Sequence, residues 1–207
     1  MLAGLLSVGG CAQFGVQEFP PGLRDPAAVR GTVFVAYQPY TVLGLGHTGV
    51  IVVGERPGGY LRFDQYASAE IAYGRRLAEG RAWFWEALTA RLPSILGLTR
   101  EVVTRRAGPA PAALLEPGEL LVPVPGVAPG PVRAAAEARF AMAGGLERES
   151  ARRYFWSANN CHHFVRDVLR AGGPIHERYF PKHFVADTLA KGAASGPTPP
   201  AVPDGGP

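Results

Sequence analysis

The residues of this chain best able to form a covalent intermediate or pass a proton near neutral pH are its two cysteines, Cys11 and Cys161, and its five histidines. Cys161 heads a segment in which Phe164, Val165, Val168 and Leu169 follow at helical spacing. That pattern predicts an amphipathic helix over 161–171, stopped by Gly172-Gly173-Pro174, with the thiol at the start of its buried stripe. Asn160, or Asn159 one residue earlier, has the side chain of an N-cap. A sulfur in the first turn meets unpaired backbone N–H groups and the positive end of the helix dipole, and both favour the thiolate. The competing role for such a cysteine is that of a small apolar side chain packed in a core.

A thiolate nucleophile needs a group that takes its proton and later protonates the leaving group, and histidine titrates in the right range. His162 and His163 sit one and two residues from Cys161 on the same helix, so neither faces it. His176 and His183 fall in a C-terminal segment without a strand pattern. His47 opens the clearest strand of the chain, directly after Gly44-Leu-Gly46, and is the expected base.

The imidazole needs a third group to hold one tautomer. His47–Val53, a turn within Gly54–Gly59 and Tyr60–Tyr66 form an expected antiparallel hairpin. With a four-residue turn, Gly54 to Pro57, His47 pairs with Asp64; a register change of one residue pairs it with Gln65 instead. Asp64 is preferred, since a carboxylate stabilises an imidazolium better than an amide does. The backbone N–H of Cys161, helped by the Asn159 side chain, is the expected oxyanion hole.

These residues need a scaffold, and the rest of the pattern supplies a mixed one. Thr32–Tyr37 reads as a strand. Residues 82–98, rich in Trp83, Phe84, Trp85, Leu88, Leu92, Ile95 and Leu96, read as two helical pieces separated at Pro93. Glu119–Val124 is a short strand that Pro123 assigns to a sheet edge. Helices are expected at Val132–Ala143, opened by Pro131, and at 181–190. The class is α+β.

Composition limits the partners. The chain has 207 residues and a formal charge of +4, but its arginines occur as scattered pairs such as Arg75-Arg76, Arg105-Arg106 and Arg152-Arg153. No nucleic-acid partner is expected from so dispersed a charge. No metal or other cofactor is implied, because the cysteines are far apart and His162-His163 lacks the spacing that puts two ligands on one helical face.

The opening Met1-Leu-Ala-Gly-Leu-Leu-Ser-Val-Gly-Gly-Cys11 resembles the end of a bacterial lipoprotein signal, with Val8-Gly9-Gly10-Cys11 as lipobox and Cys11 as the acylated residue. Ala12 then points to the outer membrane. Residues 12–30 carry Pro20, Pro21, Gly22 and Pro26 and read as a tether. The folded domain is expected over 31–190, with a disordered Pro/Gly/Ala-rich tail at 191–207. A lipid-anchored periplasmic monomer is the expectation. Its domain would then hold one unpaired thiol in an oxidising compartment, where such a group is seldom kept without a use.

Taken together, His47-Thr-Gly-Val-Ile-Val-Val53 and Asn160-Cys-His-His-Phe-Val165 resemble the permuted papain-like proteins. These include the permuted NlpC-type hydrolases, some of them bacterial lipoproteins, and the lecithin:retinol acyltransferase relatives. In those families the histidine strand precedes the cysteine helix, whose motif reads Asn-Cys-x-His-Phe-Val; Asn160, Cys161, His163, Phe164 and Val165 match it. The order histidine, acid, cysteine also occurs in SUMO-protease-like and adenain-like enzymes. The acyltransferase pattern has a further polar residue, often histidine, closer behind the first histidine, where this chain has Gly58 and Gly59. The resemblance implies a circularly permuted papain-like fold, an antiparallel sheet packed against the Cys161 helix. It also implies hydrolysis through a thioester, of a peptide amide in peptidoglycan first and of a lipid acyl ester second. The alternative in another class is a non-catalytic envelope lipoprotein that serves as a binding or scaffold module.

Overall fold

The computed structural model describes residues 31–39, 46–83, 86–143, 152–155 and 157–175. The Cys11 motif, the expected tether, the helix expected at 181–190 and the tail lie outside them.

Segments rich in β-branched and aromatic residues build the first three strands: β1 at Val33–Gln38, β2 at His47–Val53 and β3 at Tyr60–Ala67. Helix α1 follows at Ser68–Ala78, and α2 at Ala87–Ile95. After β4 at Thr99–Gly108 come a short 3-10 helix at Pro111–Leu114 and β5 at Leu120–Pro123. Helix α3 at Pro129–Ala143, the two-residue β6 at Arg153–Tyr154 and α4 at Cys161–Arg170 complete the described elements. The class is α+β, as expected. Every strand pairing is antiparallel, in the order β5-β1-β2-β3-β4-β6, so Pro123 does lie on an edge strand.

The sheet's two faces differ. One carries Val33, Val35, Val50, Val52, Leu61, Phe63 and Val122 and is covered by α3 and α4, which bring Val132, Ala136, Phe164, Val165, Val168 and Leu169 into the main core. Fully burying side chains of this size is worth roughly 1.5–3 kcal/mol each, enough to hold α4 down along its whole apolar stripe. The other face carries the smaller cluster of Phe34, Ala36, Ile51 and Leu121, capped by Leu114 of the 3-10 helix.

Three expectations need correction. The β2–β3 connection runs over six residues, Gly54 to Gly59, closed by Gly54 N–H to the Gly59 carbonyl at 2.7 Å and Gly59 N–H to the Arg56 carbonyl at 3.0 Å. Asp64 therefore stands opposite Gly49, not opposite His47, and neither Asp64 nor Gln65 is the cross-strand partner of His47. Helix α2 continues through Pro93 where a break was expected, because the proline forfeits one backbone bond and the helix ends two residues later. Helix α3 starts earlier than expected, at Pro129, which leaves Pro131 in the first turn, where its missing N–H costs nothing.

Candidate active site

The head of α4 is built as its sequence suggests. Asn160 has extended backbone angles, φ −118° and ψ 178°, and its Oδ1 accepts the His163 N–H at 3.0 Å, the geometry of an N-cap. The same oxygen lies 2.8 Å from His163 Nδ1. Two bonds to one residue lock the turn that presents the thiol. Cys161 is buried, and the Thr48 N–H donates to its sulfur. Thr48 Oγ1 makes no well-aligned hydrogen bond, and it acts on the thiol by proximity.

Cys161 and His47 are brought together at the end of the sheet where β2 and α4 begin, the imidazole within hydrogen-bonding reach of the sulfur. Burial works to raise the thiol pKa, but the His47 charge and hydrogen bond, with those from Thr48, outweigh it and hold the thiol below its ordinary value. Burial likewise works to lower the His47 pKa, and the neighbouring Cys161 sulfur and Asp64 carboxylate overcome it, raising it to about 10. These opposite displacements describe a thiolate–imidazolium ion pair.

The third member arrives by a route that differs from the expected pairing. Residues 47, 49, 64 and 66 share one sheet face, and continuing the ladder sets Tyr66 opposite His47. The two rings stack, with centroids 4.7 Å apart and planes 7° apart. Asp64, diagonally placed, reaches His47 because Gly49 between them has no side chain: a Cβ there would lie 2.2 Å from Asp64 Oδ1. Across that gap His47 Nε2 donates to Asp64 Oδ1 at 3.2 Å. Burial raises the Asp64 pKa, but the bonds from His47 and Arg62 lower it to a net value of about 2.

Arg62, wholly buried, stands behind Asp64. Its Nε and Nη2 donate to Asp64 Oδ2 and Oδ1, both at 2.7 Å. Its Nη1 donates to the Leu114 carbonyl at 2.7 Å and to Glu119, and Nη2 also donates to Glu119 Oε1 at 2.7 Å. Every N–H direction of the guanidinium is directed at an acceptor. Hydropathy reading missed Arg62 and Glu119, because a charged residue inside a strand or at its start reads as solvent-facing.

Gln65 and Asn159 are placed away from the roles first assigned to them. Gln65 points to the opposite face from Asp64, where its Nε2 donates to Asn159 Oδ1 at 3.1 Å. Asn159 Nδ2 donates to Glu101 Oε2 and to the Arg153 carbonyl, each at 2.7 Å, while Oδ1 also accepts from Arg139 Nη2 at 2.7 Å. With both amide hydrogens committed, Asn159 has none to offer an oxyanion. It ties the loop before Cys161 to the buried Glu101, which also pairs with Arg139 at 2.8 Å and Arg152 at 3.2 Å. The backbone N–H of Cys161 meets Tyr154 instead, a buried residue the sequence reading missed. Burial first, and then the negative charges of Cys161 and Glu70, keep the Tyr154 hydroxyl protonated well above its ordinary range.

Among the described residues no three His, Cys, Asp or Glu side chains converge as metal ligands. Cys11 lies outside the described residues. No protein-family model matches the chain, and neither does any curated protein or solved structure.

Proposed function

We propose that the chain is a cysteine hydrolase of the permuted papain-like kind, acting on an amide bond in the bacterial cell envelope. The observation that carries this reading is the convergence of Cys161, His47 and Asp64, which lie far apart in sequence, into one nucleophile, base and orienting acid. A cysteine kept only for packing needs neither a cationic imidazole against its sulfur nor a helix cap behind it.

The chemistry follows from the charges. The Cys161 thiolate attacks the carbonyl carbon, and the C=O electron pair moves onto oxygen. The protonated Tyr154 hydroxyl, which itself accepts the Cys161 N–H, is the donor offered to that oxyanion. Asp64 holds His47 Nε2, so Nδ1 carries the proton that passes to the departing amine as the C–N bond breaks. Water, deprotonated by the now neutral His47, then splits the thioester and releases the acid.

Peptidoglycan peptides fit this reading through the lipobox-like Val8–Cys11 and the resemblance to NlpC-type hydrolases, which together support a lipid-anchored domain in the periplasm, at the outer membrane. No helix of the described residues is long and apolar enough to cross a membrane. The proposed anchor is the acylated Cys11. One observation favours an acyl ester as second substrate class. Leu96 and Leu98 are 63% and 66% exposed around Gly97, Phe155 packs against that glycine, and Phe155 is bonded to Asn159 two residues before the nucleophile.

The deciding experiment incubates the protein with peptidoglycan stem peptides and, separately, with phospholipid vesicles, and looks for an acyl mass added to Cys161. An adduct from the peptides supports the amide reading, and one from the lipid supports the ester. No adduct from either, with a thiol that alkylates no faster than in the denatured chain, leaves the scaffold reading in place.

A further inference from the structure

The buried charges behind the candidate triad form a chain. Glu119, just before β5, and Arg62, in the middle of β3, are 57 residues apart, yet Glu119 takes two donors of the guanidinium while Asp64 takes the other edge in a two-point contact. A carboxylate held by a single donor can rotate about its last bond; one held at both oxygens cannot. Glu119 is fixed in turn, because its Oε2 accepts the Glu116 N–H at 2.7 Å. Arg106 closes the group: its Nη1 bonds Glu116 at 2.5 Å and its Nη2 stands 4.0 Å from Asp64 Oδ2.

Isolated burial of so many charges is costly, and a purely structural pair here could be replaced by apolar side chains with little loss. What the arrangement does that apolar packing cannot is aim Asp64 Oδ1 across Gly49. We propose that Arg62 and Glu119 are positioning residues for the Cys161–His47 pair: Glu119 anchors the guanidinium, the guanidinium holds both Asp64 oxygens, and Asp64 thereby orients His47 toward the sulfur. The inference rests on the Cys161–His47 reading and extends it to two residues that touch no reacting atom.

The test uses the full chain with Cys11→Ala, so that Cys161 is the single thiol, and follows its alkylation by iodoacetamide against pH. Arg62→Lys keeps the charge but replaces the two-point fork by one nitrogen. It is expected to displace the acid limb of the profile upward by about one pH unit, which is a roughly tenfold slower reaction on that limb. Glu119→Gln leaves the guanidinium less firmly anchored and its charge less compensated, so Asp64 stabilises the His47 imidazolium less and the limb shifts in the same direction by less. Asp64→Asn gives the larger shift, and adding Arg62→Lys to it changes nothing more, since both act through one carboxylate.

A merely structural role lowers the unfolding midpoint and leaves the alkylation profile of the folded protein where it was. That outcome, or additive shifts in the double variant, overturns the proposal. Failure of both Arg62→Lys and Glu119→Gln to fold also overturns it, by making the network a folding element. If the parent thiol itself alkylates as in the denatured chain, it is the Cys161–His47 reading that fails.

Discussion

Gly49 and Asp64 face each other across β2 and β3, and the space a methyl group would need on Gly49 is filled by the Asp64 carboxylate, 2.2 Å from where that carbon would be. The glycine between His47 and Val50 is therefore part of the candidate site, since its missing side chain is the channel through which Asp64 and His47 meet.

Gly49→Ala should displace Asp64 from His47. Crowding at such a position costs about 1–3 kcal/mol, so the protein should still fold in a cooler or less denaturing solution. The thiol should then alkylate on the order of tenfold more slowly at mildly acidic pH, because His47 loses a stabilising anion. Circular dichroism melts and alkylation rates measured side by side separate the two effects. A melt shift without a rate change would show that the carboxylate reaches His47 by another path.

The ion pair fixes a pH window. His47 titrates at about 10 in the folded chain against an ordinary 6.5, so its contribution to stability is full below about 6.5 and is lost as pH rises through about 10. Asp64 titrates at about 2 against an ordinary 3.8, so its contribution is full above about 3.8 and is lost as pH falls through about 2. Activity should hold from the lowered thiol value up to about 10 and decline in alkali as the imidazolium loses its proton. Melting temperatures of the parent and of His47→Ala should converge above pH 10. A parent protein whose rate climbs with pH through 8 and 9 like a free thiol contradicts the ion pair.

Cys161→Ser removes the soft nucleophile with little change of volume and should abolish acyl-adduct formation while the protein remains folded. His47→Gln should cut turnover on the order of 10²–10⁴-fold, the usual contribution of a general acid–base. Mass spectrometry of the intact variants after substrate exposure reads the first, and steady-state rates the second. An unfolded Cys161→Ser protein would instead mark the residue as core.

On the other face, Glu101 answers to Arg139, Arg152 and Asn159 at once. Glu101→Leu strands the half-buried Arg139 charge and should cost about 3–5 kcal/mol in urea unfolding. Exchanging Arg139→Leu in the same chain should recover a large part of it. A loss under 1 kcal/mol for the single variant would show that water takes over the role of the carboxylate.

The half of the site on α4 was legible because its signals are local: a cap residue, a thiol and a helical stripe within ten positions of one another. The proposed base was legible for the same reason, as the first residue of a β-branched run that ends in a Gly/Pro turn. The acid was named, but through a wrong register, since Gly58 and Gly59 serve the turn and not the strands, and that displaced every cross-strand partner. Arg62, Glu101 and Glu119 were illegible in principle. Their burial depends on partners 38 to 58 residues away, and a single strand's pattern does not distinguish a buried charge with a partner from an exposed one without. Strand β4, Thr99-Arg-Glu-Val-Val-Thr-Arg-Arg-Ala-Gly108, escaped notice on the same account, as did α1 behind Ser68.

The order of the strands has a consequence for how the chain acquires its reactivity. β2 and β3 form a hairpin, so His47, Asp64 and Arg62 are gathered by pairings that are short in chain length. Glu119 and Cys161 come from elements that must return across many residues, β5 beside β1 and α4 over β2, and contacts of that kind form late. Until α4 docks, the sulfur belongs to an ordinary thiol, protonated and sluggish at neutral pH. On the proposed reading, the nascent protein thus carries its nucleophile in a dormant form, and the closing step of folding switches it on.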